Sequence, residues 1–143
     1  MTTTAAFEKT RIFPVLRCRD PRAMIDWLER AFGFERLAVH EDGAGGIAHA
    51  ELAFGSGLVM LGSVRDDDFG RLFAPPGTGS AITQTIYLAI DNVDAHHDVA
   101  VAAGAKIVMP PTDQDYGSRD YICRDPEGNV WCFGTYWPTP PTR

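Results

Sequence analysis

Arg11-Ile-Phe-Pro-Val-Leu-Arg-Cys18 leads into Asp20-Pro21, and Thr85-Ile-Tyr-Leu-Ala-Ile90 leads into Asp91. Each apolar stretch reads as a short strand, and Pro14, which offers no N–H, suits a sheet edge. Asp20 followed by proline is the start of a helix, with a side-chain cap and a ring already set at helical φ. Met24, Ile25, Leu28, Ala31 and Phe32 then recur at helical spacing, and Gly33 ends the run. The second passage repeats the plan, with Asp91 as the expected cap, Val93, Ala100 and Ala103 on one helix face, and Gly104 as the stop. Gly33 follows Asp20, and Gly104 follows Asp91, by the same 13 positions (33 − 20, 104 − 91).

Working outward, strands follow each helix. Glu35–His40, Gly46–Phe54 and Leu58–Gly62 answer to Lys106–Met109, Ser118–Arg124 and Val130–Thr135. A Gly55-Ser56-Gly57 turn joins the last pair in the first half, and Asp125-Pro-Glu-Gly-Asn129, strong hairpin chemistry, joins it in the second. Residues 11–62 and 81–136 are thus two βαβββ modules of a single domain spanning 1–143. A polar linker occupies 63–80 and an extended, proline-rich tail 137–143. The expected class is α+β, with both modules forming one cupped mixed sheet and the helices outside. A four-stranded sheet with one helix leaves one face bare, and two such faces curl around a natural small-molecule cleft.

Length and charge narrow the partners. A chain of 143 residues, 45% hydrophobic with net charge −6, reads as one compact unit. Its apolar runs fall far short of the ~20 residues that cross a bilayer, and Met1–Lys9 lacks the layout of a signal peptide. An acidic chain without a basic cluster disfavours nucleic acid. Cys18, Cys123 and Cys132 are odd in number and form no CxxC pair, which points to reduced, buried thiols and a cytoplasmic location.

The repeat, together with Tyr116-Gly-Ser-Arg-Asp-Tyr-Ile-Cys-Arg-Asp-Pro-Glu-Gly-Asn-Val-Trp-Cys-Phe-Gly-Thr-Tyr136, resembles the glyoxalase / bleomycin resistance / extradiol dioxygenase group, the vicinal oxygen chelate superfamily. The resemblance implies a homodimer and four cup-facing metal-ligand positions, on the first and last strand of each module. These fall on Phe13, Met60, Thr85 and Cys132. Neither they nor Pro14, Val15, Val59, Leu61, Ile86, Tyr87, Trp131 and Phe133 beside them carry a histidine or carboxylate, so no metal and no cofactor is expected. The family's drug-sequestering branch then becomes the model: metal-independent binding of a small apolar or aromatic molecule.

Strand alternation assigns the cup. Ile86, Leu88 and Ile90 should meet the helix, which leaves Thr85 and Tyr87 for the bare face, and Trp131 and Phe133 should pack beneath the helix, which leaves Cys132. Phe13 and Met60 complete an apolar, soft lining. His49 and Glu51 share one face of their strand. They form an acid–base pair if that face meets the cup, or only its polar side if it meets solvent. An isomerase or lyase built on them, or on Tyr116 and Arg119, is the alternative function, with a divalent-metal enzyme behind it. Arg119 reads either as an anchor for an anionic or carbonyl group or as a salt-bridge partner of Asp120, Asp125 or the acidic loop. His96 and His97, adjacent on a helix, diverge by about 100° and do not chelate one ion. Cys132 lacks an activating neighbour.

Overall fold

The computed structural model describes residues 9–77 and 79–139. Residues 1–8, Thr78 of the linker and 140–143 of the tail lie outside them. The elements run β1 (Val15–Cys18), α1 (Pro21–Phe32), β2 (Glu35–Glu41), β3 (Ile47–Phe54), β4 (Gly57–Ser63), β5 (Ile86–Ala89), α2 (Val93–Ala102), β6 (Lys106–Asp113), β7 (Arg119–Arg124) and β8 (Val130–Gly134). This is the α+β, two-module βαβββ arrangement that the repeat predicts.

Two four-stranded mixed sheets result, in the orders β1-β4-β3-β2 and β5-β8-β7-β6. In each the first strand lies parallel to the last, with Val15 opposite Met60 and Tyr87 opposite Cys132. The helix and two strands in between supply the long crossover that a parallel pair requires. Among the described residues no ladder joins β1 to β5, so the cup is built from two sheets whose free edges flank a groove.

Local chemistry fixes the ends of the elements. The Asp20 carboxylate accepts from Ala23 N at 3.1 Å, and Gly33 turns the chain at φ 87°, as expected for α1. For α2 the cap is Asn92, not Asp91: its side chain accepts from Ala95 N at 3.0 Å, and the helix is one residue shorter at its start than the repeat suggests. Strand β1 begins only at Val15, because Pro14 contributes just its carbonyl, which Met60 N meets at 2.9 Å. Strand β6 runs past Met109 through Pro110 and Pro111, which an edge strand tolerates with register shifts at Met109.

The helix-bearing faces of both sheets merge into one core. Leu16, Cys18, Leu52, Val59 and Leu61 pack under Met24, Ile25 and Leu28. Phe32 of α1 then crosses to the second module, its ring 5.2 Å from Trp131 and 4.6 Å from Phe133. The helices also bond directly, Trp27 Nε1 donating to Ala103 O at 2.8 Å. His96 fills the same seam, with Nε2 2.9 Å from Phe32 O and Nδ1 2.6 Å from the Tyr121 hydroxyl. The Asp125–Asn129 turn adds a further tie: the buried Glu127 carboxylate accepts from Arg19 N (3.0 Å) and Asp20 N (2.8 Å) at the entry to α1.

Candidate ligand cleft and open faces

Alternation leaves each sheet one face turned away from the helices. On the first sheet a row of register partners runs Val15, Met60, Glu51, Ala38. Glu51 and, two residues back, His49 therefore stand on the open face, with His49 Nε2 2.9 Å from Glu51 Oε2. The His40 ring lies 6.1 Å from that of His49. Arg17 shares this face. Its guanidinium lies 5.4 Å from the Phe69 ring centre and 5.2 Å from that of Phe73, and its buried Nε has no hydrogen-bond partner among the described residues.

On the second sheet the rows are Tyr87, Cys132, Ile122, Met109 and, one step on, Ala89, Gly134, Asp120, Thr112. Trp131 and Phe133 are buried on the helix side, as alternation predicts. Burial pushes the Cys132 thiol up to about 11, with the Asp120 charge adding to the shift, so it is a thiol at neutral pH. Thr85 spends its hydroxyl proton on Val130 O at 3.0 Å.

The structure separates Tyr116 from Arg119. Tyr116 donates to Asp120 Oδ2 at 2.8 Å on the open face. Arg119 lies on the opposite face of β7, where it grips Asp94 through Nε (3.2 Å) and Nη2 (2.9 Å) and Asp113 through Nη1 (3.0 Å). Those carboxylates hold its guanidinium firmly charged, and they are the salt-bridge partners in place of Asp120 or Asp125. Asp125 instead ties its own turn, accepting from Trp131 Nε1 at 2.8 Å. His96 is a core residue whose burial lowers its pKa.

Two clefts lie along the β1/β5 groove. One, of about 300 Å³, is walled by Ile12, Phe54, Leu58, Tyr87, Leu88 and Trp137. The other, of about 470 Å³, is walled by Val15, Leu16, Leu72, Phe73, Ile82 and Val130. Pro14 and Ile86 border both. Of the residues expected to line the cup, Tyr87 reaches a cleft wall. Met60, Thr85 and Cys132 stand on the open faces beyond it, and Phe13 is half exposed between the cleft residues Ile12 and Pro14. Leu72 and Phe73 of the linker and Trp137 of the tail, none of them among the residues expected to line the cup, wall the clefts as well. Three large apolar residues, Phe69, Leu72 and Phe73, inside an otherwise polar stretch were the available signal.

A divalent ion of the kind bound by this fold needs several N or O donors. Phe13, Met60, Thr85 and Cys132 offer a ring, a thioether, a committed hydroxyl and a protonated thiol. Among the described residues no three His, Cys, Asp or Glu side chains gather to hold a metal. This donor set does not fit the family's metal.

The fold and the pairing of its two halves place the chain in a family: it belongs to the Glyoxalase/Bleomycin resistance protein/Dioxygenase superfamily, whose model matches residues 11–133. An uncharacterized protein of Mycobacterium tuberculosis is 31% identical over 137 residues, covering 92% of this chain and 78% of the relative. TioX from Micromonospora sp. ML1 superposes with TM-score 0.69 at 33% identity, over 87% of this chain and 97% of TioX. A glyoxalase I variant from Zea mays shares the fold at TM-score 0.67 and 22% identity, over 88% of this chain and 45% of that one. No helix among the described residues is long and apolar enough to cross a membrane.

Proposed function

We propose that this protein binds a small apolar or aromatic molecule in the β1/β5 groove without a metal, in the manner of bleomycin-resistance-type sequestration, as a cytoplasmic homodimer. The observation that carries the reading is the pair of adjoining clefts, walled by aliphatic and aromatic side chains from both modules and the linker. Burial and ring contacts supply affinity there, with no reacting group needed. The free edges of β1 and β5 and the half-exposed Phe13 and Val15 beside them are surfaces that a second copy would cover. Native mass spectrometry of tag-free protein tests assembly and content together: a dimer mass, with or without an organic adduct, is expected, and one divalent metal per chain overturns the metal-free reading. Trp137→Ala, at an exposed cleft wall, should weaken binding of the apolar dye anilinonaphthalene sulfonate several-fold. Unchanged dye binding removes the cleft from consideration.

One observation favours an acid–base enzyme as the second reading: the 2.9 Å His49–Glu51 pair on the open face. His49→Ala separates the two. A binder keeps its affinity, whereas an acid–base enzyme loses turnover with little change in binding.

A further inference from the structure

The open face of the second sheet carries a buried carboxylate that no cation answers among the described residues. Asp120 is 4% exposed, and among the described residues no Lys, Arg or His nitrogen lies within salt-bridge distance of it. Its partners are neutral hydroxyls, Tyr116 Oη on Oδ2 at 2.8 Å and Ser118 Oγ on Oδ1 at 2.5 Å. Such hydrogen bonds make the buried anion tolerable but leave its charge in place. A Cβ on Gly134 would stand 2.0 Å from Asp120 Oδ1 and 2.7 Å from Tyr87 Oη. The bare glycine thus lets the carboxylate and a cleft-wall phenol lie together over β8.

The hydroxyl protons of Tyr116, Ser118 and Tyr87 are committed within the protein. Tyr116 gives its proton to Asp120, Ser118 gives its own to Asp120 while accepting from Tyr136 N at 3.0 Å, and Tyr87 gives its proton to Tyr136 O at 2.6 Å. The two phenols therefore offer a ligand oxygen lone pairs, and a hydroxyl that donates to a carboxylate is a stronger acceptor on its other side. Around them stand the rings of Tyr116 and Tyr136, edge to face at 6.4 Å, and of Trp137 at the cleft mouth. Acceptors, ring faces and a desolvated negative charge all favour the same kind of group. The bond to Asp120 pushes the Tyr116 phenol up to about 12.

We propose that this surface takes the cationic end of the ligand, a protonated amine or quaternary ammonium, with Asp120 supplying the charge and Tyr87, Tyr116, Tyr136 and Trp137 the ring faces and phenol oxygens. The assignment rests on the cleft-binding reading above and adds to it a chemical class of ligand: an apolar or aromatic body carrying a cation. Asp120 acts from behind the phenols, so its effect on binding is electrostatic and falls as salt rises.

The test compares two probes of similar body, phenylbutyltrimethylammonium and phenylbutanol, titrated calorimetrically against the full-length wild type and Asp120→Asn. Wild type should bind the ammonium about tenfold more tightly than the alcohol. Asp120→Asn should cut ammonium affinity by a similar factor and leave the alcohol nearly unchanged. Equal affinities in the wild type, or an ammonium affinity unmoved by Asp120→Asn, overturn the assignment while leaving the apolar cleft standing. If neither probe binds, the cleft reading and the assignment fall together. Should Asp120→Asn not fold, the wild-type ratio and its decline with added salt decide the matter.

Discussion

At the scale of single residues, His96 shows how a side chain with catalytic potential is spent on structure. Phe32 O can only accept, so Nε2 carries the proton and Nδ1 accepts from the Tyr121 hydroxyl, the neutral tautomer. Burial then lowers the folded pKa below its ordinary value. The unfolded chain thus binds more protons than the folded one below about pH 6.5. The resulting stabilisation is complete above that pH and is lost as pH falls toward the depressed folded value. Melting of wild type against His96→Gln at pH values either side of 6.5 should show a loss in acid that the variant lacks; identical pH profiles would contradict it. Adjacent positions on a helix already forbade chelation by His96 and His97. That the first of them turns into the core follows from α2 having few large apolar residues, only Val93 and Ala100 being buried along it.

At the scale of elements, the two helix starts differ despite their shared plan. Asp20 caps α1, but in the second module the neighbouring Asn92 takes the role, because its side chain reaches Ala95 N while Asp91 stays exposed. Asn92→Ala should therefore cost roughly 0.5–2 kcal/mol in urea unfolding, and Asp91→Ala should stay within about 0.5 kcal/mol. The reverse order would restore Asp91 as the cap. Sequence could not choose between two good capping residues side by side, since the choice depends on the φ at which β5 hands the chain to α2. Strand facing was more legible. Alternation put Ile86 and Leu88 inward and Tyr87 outward, and the same rule put Trp131 and Phe133 beneath the helices.

At the scale of the whole molecule, the modules share a core rather than merely touching. Phe32, from the first module, packs on Trp131 and Phe133 of the second, and Glu127 of the second closes the N-terminus of α1 in the first. Phe32→Ala should destabilise the chain by about 3–5 kcal/mol. Because the core is common, the loss should appear as one transition, with tryptophan fluorescence and far-UV circular dichroism melting together. Separate transitions for the two probes would show that each module stands alone.

The repeat of strand, capped helix and hairpins was legible because it is local chemistry: caps, glycine stops and period-two alternation act over a few residues. It determined the α+β class, the order of the elements and the outward facing of Tyr87 and Cys132, and the absence of His and carboxylate at Phe13, Met60, Thr85 and Cys132 could be read letter by letter. The tertiary structure alone decided that His49 and Glu51 share the open face, that Arg119 turns away to Asp94 and Asp113, and that Leu72, Phe73 and Trp137 wall the groove. It also decided that Asp120 is buried with no cation beside it among the described residues. Each of these depends on which segments, distant in the chain, come to lie side by side, and no short-range pattern encodes that.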